Sequence, residues 1–397
     1  MKIFFITSKL NFRTSGGSVE EIDFIMKTFR ELGHEVTAVT VFSYMNDIPE
    51  PPPYKVIEEN IRARRLLGIQ KGIFKILRKY ERQADAFHVD AHISLYGAGF
   101  YRFLGGKTPV VGLFNQFLTC WSQWISSLLK QPRRKLKVVL KSKIRWFLEK
   151  YIGTFLANRL DIIAFVSPSL RKMYEDFGIR HSGKDLVIGD PINIKKIIAE
   201  NNVKSDSYFN RNKKEGPLNL FFSSRMSSGK GFDIALAGFA KVRNKENFRL
   251  ILGGTGPEEE QIKKMAQNLN LQDYVVFPGW VPKDQLFRQY HEADIFIQAD
   301  WWPAGTSISL YYAMAFGVPS ILPEGGGLQW QAAGSALYFR YRDPEDLARK
   351  IERLGDDYDL RAELSRQCYV RLADEEMDYQ KNIGRLEKKM RGMKKKI

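Results

Sequence analysis

The chain has 397 residues, of which 44% are hydrophobic and 27% are charged, and its formal net charge is +17. This length suits two domains of about 150 to 200 residues each, and the composition is that of a folded protein, which excludes general disorder. The sequence lacks a long uncharged apolar run, and neither Cys120 nor Cys368 has a second cysteine nearby. We therefore expect a cytoplasmic protein without a transmembrane span, a zinc site or a disulfide framework.

The first half alternates strand-like apolar runs with longer amphipathic stretches. The runs are KIFFITS at the start, then HEVTAVTV, AFHVDA, TPVVGLF and DIIAFVS. This alternation predicts parallel βαβ units, and hence a doubly wound domain over residues 1–193. Gly16 and Gly17 follow the first strand and precede the first helix, so their backbone N–H groups are candidate phosphate donors.

Three polar side chains lie near the end of the AFHVDA strand. His88 is predicted to be a packed strand histidine. Asp90 or His92 is a better candidate to orient or deprotonate an acceptor. The four-residue spacing of the two histidines joins one face only on a helix, so a metal site is disfavoured.

A basic stretch, KQPRRKLKVVLKSKIRWFLEKYI, covers residues 130–152. It predicts an amphipathic helix in which Lys137, Lys141 and Arg145 form a basic ridge beside an apolar line. One interpretation is a helix that lies on an anionic membrane surface, and the other is an ordinary helix with a solvated basic face. Nucleic-acid binding is disfavoured, because interleaved aromatic and basic recognition motifs are absent from the sequence.

The second half restarts the same rhythm after a polar segment. Residues 194–216 are predicted to be a linker, and LNLFFSSR begins a second doubly wound domain over 217–375. Residues 376–397 are predicted to form a C-terminal helix and a basic tail that packs back on the first domain. Ligands of such sheets bind outside the carboxyl ends of the strands, in this case in a cleft between the domains.

The loop SSRMSSGKG carries two cations at a strand end. Arg225 can bind a diphosphate with two parallel hydrogen bonds, and Lys230 can add a point charge. Glycine and serine between them let the backbone approach a ligand. The loop predicts a diphosphate site.

The succession of this loop, GGTGPEEE, VVFPGWVP, ADIFIQ and AMAFGVPSILPEGGG resembles the C-terminal domain of family 4 of the retaining glycosyltransferases. The resemblance covers Pro217 to about Leu354 and implies the GT-B architecture, two Rossmann-like domains facing a cleft. It implies that Arg225 and Lys230 hold the diphosphate of a UDP- or GDP-linked sugar, with no cofactor and no metal. It also implies further phosphate donors, the backbone N–H groups of Ser307, Ile308 and Ser309.

Three positions depart from the family's pattern. Its two glutamates, separated by seven residues, fall on Ala304 and Tyr312, and its active-site histidine falls on Asn115. Tyr312 can still make one ribose contact, whereas Ala304 can make none. Asn115 can hydrogen bond to a sugar but cannot exchange a proton near neutral pH.

The resemblance implies transfer of a hexose-type sugar, with retention, to a glycan or polyprenyl-linked acceptor. The setting would be cell-surface polysaccharide or glycoprotein glycan synthesis at the inner membrane face. Three interpretations account for the missing acids. The first is an enzyme whose donor makes different ribose or sugar contacts, with Asp300, Thr306, Ser307 or Tyr312 compensating. The second is an enzyme of opposite stereochemical outcome that uses Asp90 or His92 as base, and the third is a non-catalytic partner of an active transferase.

Overall fold

The computed structural model describes residues 1–13, 17–63, 65–90, 92–115, 143–180, 183–204, 216–301 and 305–393. The chain divides into two compact units, one of Met1–Pro191 with Tyr379–Ile397 and one of Ile192–Asp378. Several positions from the sequence analysis lie outside the described residues: Gly16, Cys120, Lys137, Lys141 and Ala304.

The first unit is built on a parallel sheet with strand order β3-β2-β1-β4-β5-β6-β7. Its strands are β1 Lys2–Thr7, β2 Glu35–Thr40, β3 Lys55–Glu58, β4 Ala86–Asp90, β5 Val110–Phe114, β6 Ile162–Phe165 and β7 Asp185–Val187. The three central strands β1, β4 and β5 are almost wholly buried, as is usual for a parallel sheet covered on both faces. Its helices are α1 Gly17–Glu31, α2 Leu66–Tyr80, α3 His92–Phe103, α4 Thr154–Ala157 and α5 Pro168–Phe177.

The second unit repeats the plan with strand order β10-β9-β8-β11-β12-β13. Its strands are β8 Leu218–Ser223, β9 Phe248–Gly253, β10 Val275–Gly279, β11 Ile295–Ile297, β12 Ser320–Pro323 and β13 Ala336–Phe339. Its helices are α6 Ile194–Glu200, α7 Phe232–Ala240, α8 Glu259–Asn268, α9 Lys283–Glu292, α10 Ile308–Ala315, α11 Gly326–Ala332, α12 Pro344–Asp356 and α13 Tyr358–Leu372. One core of buried side chains joins the sheet to α7, α8 and α12.

The boundaries differ in detail from those expected from the sequence. The division falls after Pro191, and α6 occupies the first part of the predicted linker, with Asn193 capping the helix through Lys196 N–H at 2.9 Å. The last helix, α14 Tyr379–Arg391, belongs to the first unit, where Glu387 Oε1 lies 2.9 Å from His34 Nε2. Among the described residues, no helix is long and apolar enough to cross a membrane.

Candidate functional site

The second unit has its topological switch point between β8 and β11. These strands are hydrogen-bonded neighbours, but the chain proceeds from β8 to β9 on one side and from β11 to β12 on the other. The loops that follow the two strands therefore diverge and leave a crevice at their carboxyl ends. The loop 224–231 follows β8, and ten residues separate the end of β11 from the start of α10.

Glycines fix the shape of the loop 224–231. Gly231 has φ +78° and is the N-cap residue of α7, and a Cβ atom there would lie 1.7 Å from the backbone oxygen of Ala299. A Cβ at Gly254, φ +114°, would lie 2.0 Å from the backbone oxygen of Ser224. Only glycine permits these approaches, so the GKG and GGTG stretches hold the loop against its neighbours.

The two predicted cations have different environments. Arg225 is exposed, and no described residue pairs with its guanidinium group. Lys230 Nζ lies 3.1 Å from Asp300 Oδ1, and the Asp300 side chain is only 10% exposed. The other carboxylate oxygen of Asp300 accepts from the Gln298 amide. Lys230 is thus held in place at the crevice, while Arg225 is available to an anion.

The start of α10 corrects one expectation. Ser307 N–H already donates to Gln331 Oε1 at 2.8 Å, and the Gln331 amide donates back to Ser307 O at 2.9 Å. Ser307 therefore does not offer its N–H to a phosphate. It caps the helix instead, because its Oγ accepts from Leu310 N–H at 3.4 Å. The N–H groups of Ile308 and Ser309 have no acceptor among the described residues.

The helix start is tied directly to β8. Ser309 Oγ donates to the backbone oxygen of Ser223, the last residue of that strand, at 3.1 Å. Three residues earlier in the sequence, Thr306 Oγ1 is buried with no partner among the residues that the structure describes. Ser309 thus lies at the carboxyl end of β8, and Arg225 follows that strand end by two residues.

Two aromatic residues, Trp301 before α10 and Tyr312 within it, are packed in the interior. Tyr312 is 3% exposed, with its ring 5.1 Å from Phe287, and the Lys283 ammonium lies 5.9 Å from its centroid. Trp301 is 1% exposed and donates through Nε1 to Asp233 Oδ1 at 3.0 Å. Trp301 is therefore structural, and the role of Tyr312 stays a prediction.

The first unit gathers polar side chains at its own switch point, between β1 and β4. Thr7 Oγ1 donates to Asp90 Oδ2 at 3.3 Å, and each residue ends its strand. Asn115, directly after β5, donates through Nδ2 to Asp90 Oδ1 at 3.2 Å and to Glu21 Oε2 at 2.9 Å. Asp90 and Asn115 are thus in direct contact, and Glu21 is an addition that the sequence analysis did not name as a site residue.

Burial and neighbouring charges change the pKa of Glu21 in this cluster. Burial raises the pKa of Glu21 well above its ordinary range, the charges of Asp190 and Asp90 raise it further, and the Asn115 hydrogen bond opposes them. Carboxylate oxygens accept hydrogen bonds, so the Asn115 amide nitrogen faces them. Asn115 Oδ1 then has no donor among the described residues. It is a free acceptor for a ligand hydroxyl.

The remaining candidates of this region are less informative. His88 is fully buried and stacks 4.7 Å from Phe5, as expected for a packed strand histidine. The backbone of His92 begins α3, and its side chain lies outside the described part. Gly17 is the first residue of α1. Within the described ranges, no three His, Cys, Asp or Glu side chains could hold a metal ion.

Comparison with known proteins identifies the unit that carries the two cations. Residues 204–371 match the family described as Glycosyl transferases group 1. The second unit is thus similar to the group 1 glycosyltransferases. The predicted resemblance to glycosyltransferases is confirmed. The matched region contains the loop 224–231 and α10, for which the sequence analysis predicted diphosphate binding.

Individual relatives agree with this assignment. Alpha-monoglucosyldiacylglycerol synthase of Streptococcus pneumoniae is 27% identical over 256 residues, 64% of this chain and 53% of that protein. Lipopolysaccharide core biosynthesis glycosyltransferase LpsD of Rhizobium meliloti is 33% identical over 143 residues, 34% of this chain and 41% of that protein. The chain thus spans about half the length of the first of these relatives and less than half of the second.

A solved structure extends the likeness to both units. Anabaena HepE, crystallised with UDP and glucose, has a TM-score of 0.73 at 16% identity, with 99% of this chain and 100% of that chain covered. This likeness shows the fold, and the predicted GT-B architecture of two Rossmann-like domains is confirmed.

Proposed function

We propose that the chain transfers a hexose-type sugar from a UDP- or GDP-linked donor to a glycan or lipid-linked acceptor, in synthesis of a cell-surface polysaccharide or glycan. The observation that carries this proposal is the presence of exposed Arg225 and of the open N–H groups of Ile308 and Ser309 near the carboxyl end of β8, at the β8–β11 switch point. The names of the relatives, which include alpha-monoglucosyldiacylglycerol synthase and a lipopolysaccharide core biosynthesis glycosyltransferase, support an acceptor of this class.

The chemistry follows from where charge develops. As the bond between the sugar C1 and the phosphate oxygen breaks, the nucleoside diphosphate gains negative charge. Arg225, Lys230 and the start of α10 stabilise that charge more in the transition state than in the ground state. In this proposal they supply what a divalent ion supplies in other transferases.

We propose that the sugar reacts with retention. The acceptor hydroxyl attacks C1 on the face from which the diphosphate departs, and its proton passes to the departing phosphate oxygen. Little acid or base chemistry is then required of the protein. Asn115 Oδ1 and Asp90 act on the sugar or acceptor side as hydrogen-bond acceptors, and Tyr312 contacts the ribose at the donor site.

A second function, a non-catalytic partner of another transferase, is favoured by specific observations. Lys230 already forms an ion pair with Asp300, and Ser307 N–H is bound to Gln331. Ala304 and Tyr312 stand where the family has carboxylates. A chain of this kind would bind a diphosphate weakly and turn over no donor.

Thermal unfolding separates the two functions. The purified chain is heated with millimolar UDP, GDP, ADP or dTDP, or with their hexose conjugates, with and without EDTA. Selective stabilisation by one diphosphate, lost in Arg225→Ala, supports the donor site, because a ligand of the folded state raises the unfolding temperature. The selected nucleotide sugar is then incubated with a lipid and glycan extract, and release of its diphosphate is measured. Release supports the enzyme; selective binding without release favours the partner; no stabilisation by any nucleotide contradicts the donor site.

A further inference from the structure

The helical run 143–157 turns an apolar face to the solvent. It comprises helical residues 143–148, a wider π-helical turn at Glu149–Gly153 and α4. Six large side chains follow each other at helical spacing, and each is between 38% and 56% exposed. We call them the 144–155 face: Ile144, Phe147, Leu148, Tyr151, Ile152 and Phe155.

The same helical run buries a charged residue and no large apolar side chain, since its buried residues are Glu149, Gly153, Thr154 and Ala157. Glu149 is 2% exposed, Arg145 Nε lies 2.9 Å from its Oε1, and the Tyr96 hydroxyl lies 3.5 Å from its Oε2. A helix in contact with water normally buries its apolar stripe and exposes its charges. This helix does the reverse, so its outer face is suited to an apolar environment rather than to water.

The helix is also fixed in this orientation. A Cβ at Gly99 of α3 would lie 2.0 Å from the backbone oxygen of Leu156, and one at Gly153 would lie 2.8 Å from the ring of Tyr96. Backbone contacts this close leave no room for rotation about the helix axis. The helix thus approaches α3 closely at Gly99, and the 144–155 face is left exposed.

The end of α3 extends the surface. Phe100, Phe103 and Leu104 are 38%, 49% and 47% exposed, and the rings of Phe103 and Phe155 are 5.5 Å apart. Together with the 144–155 face they account for nine of the seventeen exposed large hydrophobic residues of the described chain. Exposed apolar residues are thus concentrated here, which marks an interaction surface.

The exposed charges of segments 100–107 and 143–160 are cationic, and two acids that contact segment 100–107, Glu81 and Asp161, are paired with Arg78 and Arg102. In segments 100–107 and 143–160 the one acidic residue is the buried Glu149, whereas Lys107, Lys143 and Arg159 are exposed. The Arg159 guanidinium lies 4.7 Å from the centroid of Phe155, at the edge of the apolar surface. The binding partner is therefore expected to be anionic as well as apolar.

We propose that the 144–155 face and the end of α3 dock on an anionic lipid surface. The aliphatic and aromatic side chains enter the boundary between headgroups and acyl chains, while Lys143, Lys107 and Arg159 remain among the anionic headgroups. A lipid surface meets both requirements without any shape-matched partner. The contact is peripheral, and it does not depend on the sugar-transfer proposal, because it requires no nucleotide.

Vesicle co-sedimentation tests the proposal with the full chain. The probes are vesicles of pure phosphatidylcholine and vesicles with 30% phosphatidylglycerol, each at 50 and 500 mM NaCl. The test variant is Phe147→Ser/Tyr151→Ser. The control is Leu32→Ser/Tyr44→Ser, which removes two side chains that are 44% and 70% exposed on either side of β2. Circular dichroism and thermal unfolding verify that both variants are folded.

The wild type and the control are expected to bind the anionic vesicles at least ten-fold more tightly than the neutral ones, and binding should weaken several-fold at high salt. The Phe147→Ser/Tyr151→Ser variant should lose at least ten-fold in partition, since each buried aromatic side chain contributes that much or more. Equal binding by this variant and the wild type would overturn the proposal, as would no binding at low salt. So would a wild-type dimer that only this double variant dissociates, because a second copy would then cover the face.

Discussion

Replacement of His88 by phenylalanine is expected to make the protein less sensitive to acid. His88 lies in β4, fully buried, and neither ring nitrogen has a hydrogen-bond partner among the described residues. Burial lowers the pKa of His88 to about 3, from an ordinary value of 6.5. Phenylalanine keeps the ring contact with Phe5 and removes the two unpaired nitrogens.

The sign and size follow from proton linkage. Because the folded pKa lies below the unfolded one, the contribution of neutral His88 is complete above pH 6.5 and is lost as the pH falls from 6.5 toward 3. The loss is about 1.4 kcal/mol per pH unit, and so about 2 kcal/mol between pH 6.5 and pH 5. At pH 7.5 the variant should equal or exceed the wild type, by up to about 2 kcal/mol, since unpaired buried polar groups are costly.

Urea unfolding at pH 7.5, 6.5 and 5.0, followed by far-ultraviolet circular dichroism, measures the difference. His291→Phe, at an exposed position of α9, is the matched control and should decline with pH as the wild type does. The argument is refuted if His88→Phe loses as much stability between pH 6.5 and 5 as the wild type. It is also refuted if the variant is less stable by more than about 3 kcal/mol at pH 7.5, because the nitrogens would then be engaged in bonds.

Three further outcomes can be checked on the second unit or by simple labelling. Gly231→Ala should destabilise the protein by at least about 2 kcal/mol and abolish nucleotide binding. The control Gly33→Ala, with φ +83° and open space around it, should cost about 1 kcal/mol and leave binding intact. Chemical denaturation and calorimetry measure both effects, and equal behaviour of the two variants would contradict the prediction. Gln331→Leu should cost about 2 kcal/mol by removing both bonds to Ser307, and an unchanged unfolding midpoint would contradict the clamp. Cys368, whose pKa burial raises to about 12, should resist iodoacetamide at pH 8 in the folded protein, and peptide mapping that finds rapid alkylation would disprove its burial.

Local sequence patterns could predict those parts of the structure that are formed by residues close together in the sequence. The β8 loop with Arg225 and Lys230 could be predicted because strand, turn glycines and helix follow each other without interruption. Gln331 could not, since it belongs to α11, 24 residues beyond the Ser307 backbone that it binds. The same holds for Glu21, which reaches Asn115 across 94 residues and which the sequence alone suggests as a helix cap.

The periodicity of an amphipathic helix has a similar limit. The sequence predicted an apolar line and a basic ridge near residues 143–152, but periodicity defines a face and not the direction in which it points. The direction depends on Gly99 and Gly153, which let the helix approach α3 with Glu149 inward. That packing is tertiary and has no signature within the segment itself.

Calorimetric titration of a nucleoside diphosphate tests the central claim, a diphosphate site at the β8–β11 switch point, most directly. The ligand is whichever of UDP, GDP, ADP or dTDP stabilises the chain most, titrated into wild type, Arg225→Ala and the control Arg249→Ala, an exposed arginine of β9. Arg225 has no described partner in the free protein, so its removal should cost binding alone, about 1.5 to 3 kcal/mol or roughly 10- to 150-fold in Kd. Arg249→Ala should bind as the wild type does. Equal affinities for all three proteins, or no heat with the wild type at millimolar ligand, would contradict the claim.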